Sequence, residues 1–129
     1  MDAQPWKPDL DAVTRDDLPP GFREVADVIG LPDTLALVVR RGGTRLTIPR
    51  RLRADHPISQ ALNPAAARKI AAHFAGEKLN IPTFNTITRR QRDSAIRAAF
   101  DDGARVHELV ARFGIGDRQI WEILGGGSE

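Results

Sequence analysis

Four side chains near the end of the chain share the outward side of a short predicted helix: Arg118, Gln119, Trp121 and Glu122. Arginine can bond to guanine through two donors, glutamine can bond to adenine, and glutamate can accept a hydrogen bond from cytosine. Two of the four also have a simpler role open to them. Trp121 would pack on a neighbouring helix, and Glu122 would pair with Arg118 one turn away. The four residues are the candidate base contacts.

The helix that carries them is the second of two short helices joined at Gly114. Apolar residues recur at helical spacing on both sides of this glycine: Val106, Leu109, Val110 and Phe113 before it, and Ile120, Ile123 and Leu124 after it. Gly114 can take a positive φ, and Ile115 fills the corner. Two helices joined by so short a turn cross steeply, which predicts a helix-turn-helix. In the DNA-binding version of this motif the second helix enters the major groove.

A third helix is predicted ahead of this pair, from Thr88 to Phe100. Thr88 is expected to cap it, with Gln91 completing a capping box, and Ile96 and Phe100 are expected to face the core of the following pair. Five basic residues in and after this helix either contact phosphates or form a solvated face: Arg89, Arg90, Arg92, Arg97 and Arg105. Together the three helices predict a small DNA-binding domain.

The middle of the chain contains a duplication. Residues 25–49 align with residues 58–82 at an offset of 33, so that each glycine, leucine, isoleucine and proline of a short pattern recurs. Each copy predicts a helix (Pro32–Arg41 and Pro64–Ala75), a glycine stop and a short strand that ends in Ile-Pro. The apolar residues of the two strands are Leu46, Ile48, Leu79 and Ile81.

These two strands are expected to pair either with each other or with the same strands of a second subunit, since two short strands alone make a marginal ribbon. Exchange between subunits would form an isologous homodimer through dimerisation strands. A dimer is favoured because two-fold symmetry gives a helix-turn-helix its affinity and half-site spacing. The loop between the copies holds Arg50, Arg51 and Arg53, which either touch phosphates beside the site or remain solvated.

The predicted fold class is mainly α with short β-strands. We expect an acidic, proline-rich arm over residues 1–21, a duplicated helix–strand dimerisation region over 22–86, and a three-helix helix-turn-helix domain over 87–129. The arm is expected to be mobile or loosely docked, with Trp6 as an anchor. The formal charge is −4 over residues 1–30, +6 over 31–87 and zero over 88–129.

Several classes of protein are excluded by what the sequence lacks. There is no cysteine, the three histidines have no metal-ligand spacing, and no serine-hydrolase or phosphate-loop motif is present. We therefore expect no enzymatic activity, no metal and no cofactor. No apolar run approaches the roughly 20 residues that cross a bilayer, and the N-terminus has no signal-peptide pattern. The predicted location is the cytoplasm, without a membrane partner.

Several of these segments together resemble the Mor (middle operon regulator) transcription activator family of Mu-like phages and prophages. The resemblance covers residues 22–124 and combines a strand ending in Ile-Pro with a helix-turn-helix about forty residues later. The matching segments are Glu77–Pro82, Ile96–Phe100, Gly103–Val106, Glu108–Gly114 and Arg118–Leu124. The chain departs from the family's pattern at Val110, where alanine is usual, and at the cap Gly116, where serine or threonine is usual. It also ends in glycines where relatives often continue with a basic tail.

The resemblance implies a dimeric transcription activator that binds a two-fold site upstream of a phage promoter and recruits host RNA polymerase. It implies that Glu77–Ile81 is the strand that links the two regions, and that Asp117–Leu124 is the recognition helix. The partners would then be double-stranded DNA, a second copy of the chain and the polymerase. A repressor is a subsidiary alternative. The alternative of a different class is an interaction or assembly module that keeps the fold without reading DNA, favoured by the neutral charge of residues 88–129.

Overall fold

Prolines and glycines set the ends of most elements of this chain. The computed structural model describes residues 5–126, and within that range the chain is mainly α-helical with one two-stranded sheet, as predicted. In chain order the elements are α1 (Arg23–Ile29), α2 (Leu31–Arg41), β1 (Arg45–Thr47), α3 (Pro57–Ala61), α4 (Pro64–Phe74), β2 (Lys78–Asn80), α5 (Phe84–Asp101), α6 (Val106–Phe113) and α7 (Asp117–Gly126). Three single-turn 3-10 helices precede α1.

These elements form two compact units. The strand unit is Thr14–Ile87, and the three-helix unit comprises residues 5–13 and 88–126 of the described chain. Helix α5 begins in the strand unit and continues into the three-helix unit.

In the strand unit, local signals start the two long helices. The side chain of Asn63 accepts a hydrogen bond from the backbone N–H of Ala66 at 2.8 Å, and Pro64 occupies the first helical position of α4. Helix α2 begins after Gly30, whose carbonyl accepts a hydrogen bond from the buried hydroxyl of Thr34 at 2.8 Å. Both helices therefore start at a fixed residue.

The two strands pair with each other in one chain. The ladder is antiparallel, with Leu46 opposite Leu79, Arg45 opposite Asn80 and Thr47 opposite Lys78. Residues from both repeats make the core of the unit: Val25, Ile29, Leu37, Val38, Ile48, Ile58, Leu62, Ala67, Ile70, Phe74, Leu79 and Ile81 are buried. The apolar faces of the two repeats thus cover each other.

The predicted start of α5 is wrong. The helix begins at Phe84 rather than at Thr88, because the hydroxyl of Thr83 accepts a hydrogen bond from the backbone N–H of Thr86 at 3.1 Å. Thr88 lies inside the helix and is buried, and the side chain of Gln91 is bonded elsewhere. The expected capping box is therefore absent, and residues 84–87 form the first turn of the helix.

In the three-helix unit, a small core joins α5, α6 and α7. Its fully buried or nearly buried members are Ile96, Leu109, Phe113, Ile120 and Ile123. Phe100, which was expected to join them, is 38% exposed. Helix α6 ends at Gly114, which has φ of 70°, and α7 starts three residues later.

The N-terminal arm is divided between the two units. Trp6 lies against Phe113 with ring centroids 5.6 Å apart, and its backbone N–H donates to the carbonyl of Arg112 at 2.8 Å. Asp9 and Gln91 exchange two hydrogen bonds, from the Asp9 N–H to Oε1 at 3.0 Å and from Nε2 to the Asp9 carbonyl at 2.7 Å. Residues 5–13 therefore dock on the three-helix unit through backbone bonds and an aromatic anchor.

The second part of the arm belongs to the strand unit. Leu18 is fully buried, and the guanidinium of Arg15 donates to both carboxylate oxygens of Asp27 at 2.7 and 2.9 Å. This bidentate bond lowers the pKa of Asp27 and raises the pKa of Arg15. Residues 1–4 lie outside the described range.

Candidate nucleic-acid interface

Helix α7 has one apolar face and one polar face. Ile120 and Ile123 are buried in the core of the three-helix unit. The candidate base contacts are all exposed: Arg118, Gln119, Trp121 and Glu122. This arrangement follows from the sequence, because Ile120 and Ile123 are three residues apart and share one side of the helix, which leaves the neighbouring positions on the other side. The helix therefore presents hydrogen-bonding groups outward on a face that the core holds rigidly.

The expected packing of Trp121 on a neighbouring helix and the expected pairing of Glu122 with Arg118 have different outcomes. Trp121 does contact another helix: its ring lies edge-on to Phe100 of α5, with centroids 6.2 Å apart. It nevertheless remains 56% exposed, so much of the indole is accessible. Arg118 and Glu122, both within the described range, form no ion pair within 4.0 Å. The polar groups of both side chains are thus not engaged with each other.

The five arginines considered as phosphate contacts are not equally exposed. Arg89 and Arg105 are exposed, whereas Arg90, Arg92 and Arg97 are half-buried. Arg92 is held by the carboxylate of Asp93, with bonds of 3.0 and 2.9 Å from Nε and Nη2. A guanidinium that already serves a carboxylate is less available to a phosphate. Arg89 and Arg105 are therefore the better candidates.

One candidate was missed in the sequence. Arg112 of α6 is exposed, and its guanidinium carbon lies 5.4 Å from the centre of the Phe113 ring. It follows Arg105 by two helical turns, and that spacing is the signal that places the two on one side of α6. Trp6, which packs against the same phenylalanine ring, is a positioning residue for this helix.

The residues considered as dimerisation strands lie inside the strand unit. Ile48, Leu79 and Ile81 are buried and Leu46 is half-buried, and both strands pair within one chain. Three of the four side chains are therefore covered by other residues of the same chain. A role for them in joining two chains stays a prediction.

The described residues form neither a metal site nor a membrane-spanning helix. Among residues 5–126 no group of three or more histidine, aspartate or glutamate side chains is arranged to hold a metal ion. No helix in this range is long and apolar enough to cross a membrane. The exposed face of α7 and the arginines of α5 and α6 are therefore the most developed candidate site.

Comparison with known proteins gives one match. No curated protein and no solved structure is similar to the chain at a significant level. The model of one family, described as the Mor transcription activator family, matches residues 31–126, a range that includes both repeats' long helices and the whole of α5 to α7. Because this match covers well over half of the sequence, the chain belongs to the Mor transcription activator family.

Proposed function

We propose that the protein is a transcription activator that binds double-stranded DNA through a helix-turn-helix made by α6 and α7. The observation that carries the proposal is the face of α7, where four side chains able to contact bases are exposed above a buried apolar face. Helix α7 enters the major groove, where Arg118 and Gln119 read base edges. Membership of an activator family supports the direction of regulation.

The phosphate contacts come from the helices that support α7. Arg89, Arg105 and Arg112 are exposed, and their guanidinium groups form no ion pair within 4.0 Å among the described residues. Contacts of this kind fix the register of the protein on the duplex without reading sequence. Each neutralised phosphate makes the affinity fall more steeply with salt, because it adds about 0.9 to the slope of log affinity against log salt. These residues therefore set the affinity, and the face of α7 sets the specificity.

Activation further requires a contact with the transcription machinery. In the proposed function the bound protein recruits host RNA polymerase to a phage or prophage promoter, as the family resemblance implies. The homodimer on a two-fold site is an expectation from the sequence and from the family resemblance, and the proposed function does not depend on it. The protein acts in this scheme without a metal or a cofactor.

Substitution of Arg118 tests the proposal. We expect Arg118→Ala to weaken binding to the selected site by about 1–3 kcal/mol and to relax the preference at one base pair. Arg118→Lys keeps the charge but loses the two-donor geometry, so it should also lose the base preference. Arg68→Ala removes the same charge from the exposed surface of α4 and serves as the control for charge alone. Binding should be measured by titration of labelled duplexes selected from random sequence.

Two results would contradict the proposal. If Arg118→Lys restored both affinity and base preference, Arg118 would act as a charge and not as a base contact. If no duplex sequence were enriched in the selection, specific DNA binding would be refuted.

The second candidate function is an interaction module that does not read DNA. The observation that favours it is the exposed aromatic pair of Phe100 and Trp121, combined with zero formal charge over residues 88–129. An exposed aromatic pair is typical of protein interfaces. Trp121→Ala would then abolish binding of a protein partner, whereas Arg118→Ala would leave it unchanged.

A further inference from the structure

The two repeats of the strand unit are related by a two-fold axis. Helices α2 and α4 begin and end 33 residues apart, and so do β1 and β2. The strands pair in antiparallel register with Leu46 opposite Leu79, which are themselves equivalent residues of the two repeats. A residue that pairs with its own equivalent must lie on the symmetry axis. Two repeats stacked by translation would instead have placed their strands in parallel.

The hydrogen bonds beyond the ladder obey the same relation. The N–H of Gly43 donates to the carbonyl of Ile81 at 2.8 Å, and its image, the N–H of Gly76, donates to the carbonyl of Ile48 at 2.7 Å. The N–H of Ile48 donates to Glu77 at 2.8 Å, and the N–H of Ile81 donates to Thr44 at 2.9 Å. Even the backbone angles agree, with φ of 83° at Gly43 and 84° at Gly76.

The short helix of each repeat packs on the long helix of the other repeat as well as on that of its own. The short helix of the first repeat, α1, packs on the long helix of the second, α4, and the short helix of the second, α3, packs on α2. Equivalent core residues are buried alike: Leu37 and Ile70 are both 0% exposed. Reciprocal contacts of this kind are the mark of an isologous dimer. Here both halves belong to one chain.

We infer that the strand unit is a two-fold dimer built from a single chain, and that the protein is a monomer that brings one recognition helix to an asymmetric DNA site. The part concerning DNA rests on the proposed function. The surfaces that would join two subunits are already covered. Within the described residues of the strand unit only two large apolar side chains are exposed, Val39 and Phe84, too few for the apolar core of a stable interface.

The chain takes a different course after each of the two strands. After Pro82 the chain enters α5 and continues into the three-helix unit, whereas after Pro49 it enters a loop with three exposed arginines, Arg50, Arg51 and Arg53. Because the ladder is antiparallel, these two exits lie at its opposite ends, about 20 Å apart at roughly 3.3 Å per residue. One exit therefore leads to base-reading helices and the other to a basic loop.

The arginine loop is suited to the phosphate backbone. Arg53 lies 3.8 Å from Asp55, but both side chains are 81% exposed, so water screens the pair. In the inferred complex the loop contacts phosphates of the duplex without reading its sequence. The bound site is then a single half-site with a flank whose sequence is unimportant.

The molar mass in solution is the first test, and it needs no DNA. We expect light scattering and sedimentation to give one chain, 14.2 kDa, over a wide range of protein concentration. A stable dimer of the full chain would overturn the inference. This result is independent of the proposed function, since a protein that bound no DNA at all would still be either a monomer or a dimer.

The second test is the symmetry of the selected site. We expect selection from random duplexes to enrich one unrepeated half-site, bound by one chain per duplex. An inverted repeat that binds two chains together would overturn the inference. If no sequence is enriched, the proposed function fails, and the molar mass alone decides whether the single-chain dimer stands.

The third test concerns the loop. Replacing Arg50, Arg51 and Arg53 together by glutamine should lower the slope of log affinity against log salt by about 2.7, which is roughly a 40-fold smaller loss between 50 and 200 mM salt. The preferred half-site should not change. Arg40→Gln with Lys69→Gln, which are exposed on α2 and α4, is the control for charge alone. An unchanged slope in the triple variant would remove the loop from the DNA-binding surface.

Discussion

Gly43 and Gly76 provide a matched pair of substitutions that measure the two-fold relation inside the strand unit. Both have φ near 84°, and both donate the hydrogen bonds that close the two ends of the ladder. An alanine at either position is strained whatever the space around it, by about 1–3 kcal/mol. If the two ends are equivalent, Gly43→Ala and Gly76→Ala should destabilise the unit by similar amounts.

A difference between the two ends can also be worked out. A Cβ at Gly43 would lie 3.3 Å from Cγ2 of Thr83, whereas a Cβ at Gly76 would meet nothing within 4 Å. Gly43→Ala should therefore be equally or slightly more destabilising. The two positions are about 20 Å apart along the ladder, so the double variant should show the sum of both effects. For a unit of this size each kcal/mol lowers the melting temperature by about 4–8 °C.

Urea denaturation followed by far-ultraviolet circular dichroism measures these changes. Both tryptophans, Trp6 and Trp121, lie in the three-helix unit, so their fluorescence follows that unit and dichroism follows both. Gly21→Ala is the control, because Gly21 lies in the same unit as the two glycines, has no positive φ and has open space around it. If Gly43→Ala lowered the free energy of unfolding and Gly76→Ala left it unchanged, the equivalence of the two ends of the ladder would be refuted.

Three further predictions concern single contacts. Gly42→Ala should destabilise the strand unit by about 2 kcal/mol in urea denaturation, because a Cβ at this position would lie 2.6 Å from the carbonyl oxygen of Val38. Ala75→Gly, at the equivalent position of the second repeat, should change the free energy of unfolding by less than about 1 kcal/mol. The pKa of Asp27 is lowered, so its bond to Arg15 stabilises the fold at pH values above the ordinary pKa of 3.8, and this contribution is lost as the pH falls through the lowered pKa. Asp27→Asn should therefore reduce the loss of stability at acidic pH. An unchanged loss of stability in this variant would contradict the prediction. Trp6→Ala should destabilise the three-helix unit by about 1–2 kcal/mol, as judged by Trp121 fluorescence during thermal unfolding, whereas Trp6→Phe should retain most of the stability.

The local periodicity of the sequence was enough to predict most elements. The apolar spacing around Gly114 predicted both helices that meet there, since a helix buries residues three and four apart. The 33-residue offset predicted two equivalent helix-and-strand copies. The exposure of Arg118, Gln119, Trp121 and Glu122 followed from the same periodicity.

The sequence offers two possible N-caps for α5, and the local pattern alone does not distinguish them. Thr83 and Thr88 are both good caps, and the choice of Thr83 depends on the burial of Ile87, which lies one turn further along and is 0% exposed. Gln91 was free to leave the expected cap because the backbone of Asp9, distant in sequence, offered it two hydrogen bonds. Tertiary contacts of this kind leave no trace in a short window of sequence.

The partner of each strand was the larger uncertainty. A strand of alternating residues is equally suited to an equivalent strand in the same chain or in another, because the ladder depends only on backbone groups. In this chain the second repeat follows the first, and the strands of the two repeats pair with each other. The partner of each strand therefore depends on how the two repeats are connected and not on a motif within one repeat.

The pairing of β1 with β2 in one chain has a consequence for how regulation depends on the amount of protein in the cell. A regulator that must first dimerise is mostly unassembled when it is scarce, and its active form then rises with the square of the number of chains. In the inferred single-chain dimer both halves of the interface assemble at any concentration, and occupancy of the DNA site rises in proportion to the amount of protein made. A gene controlled in this way would respond to the first few molecules without a threshold.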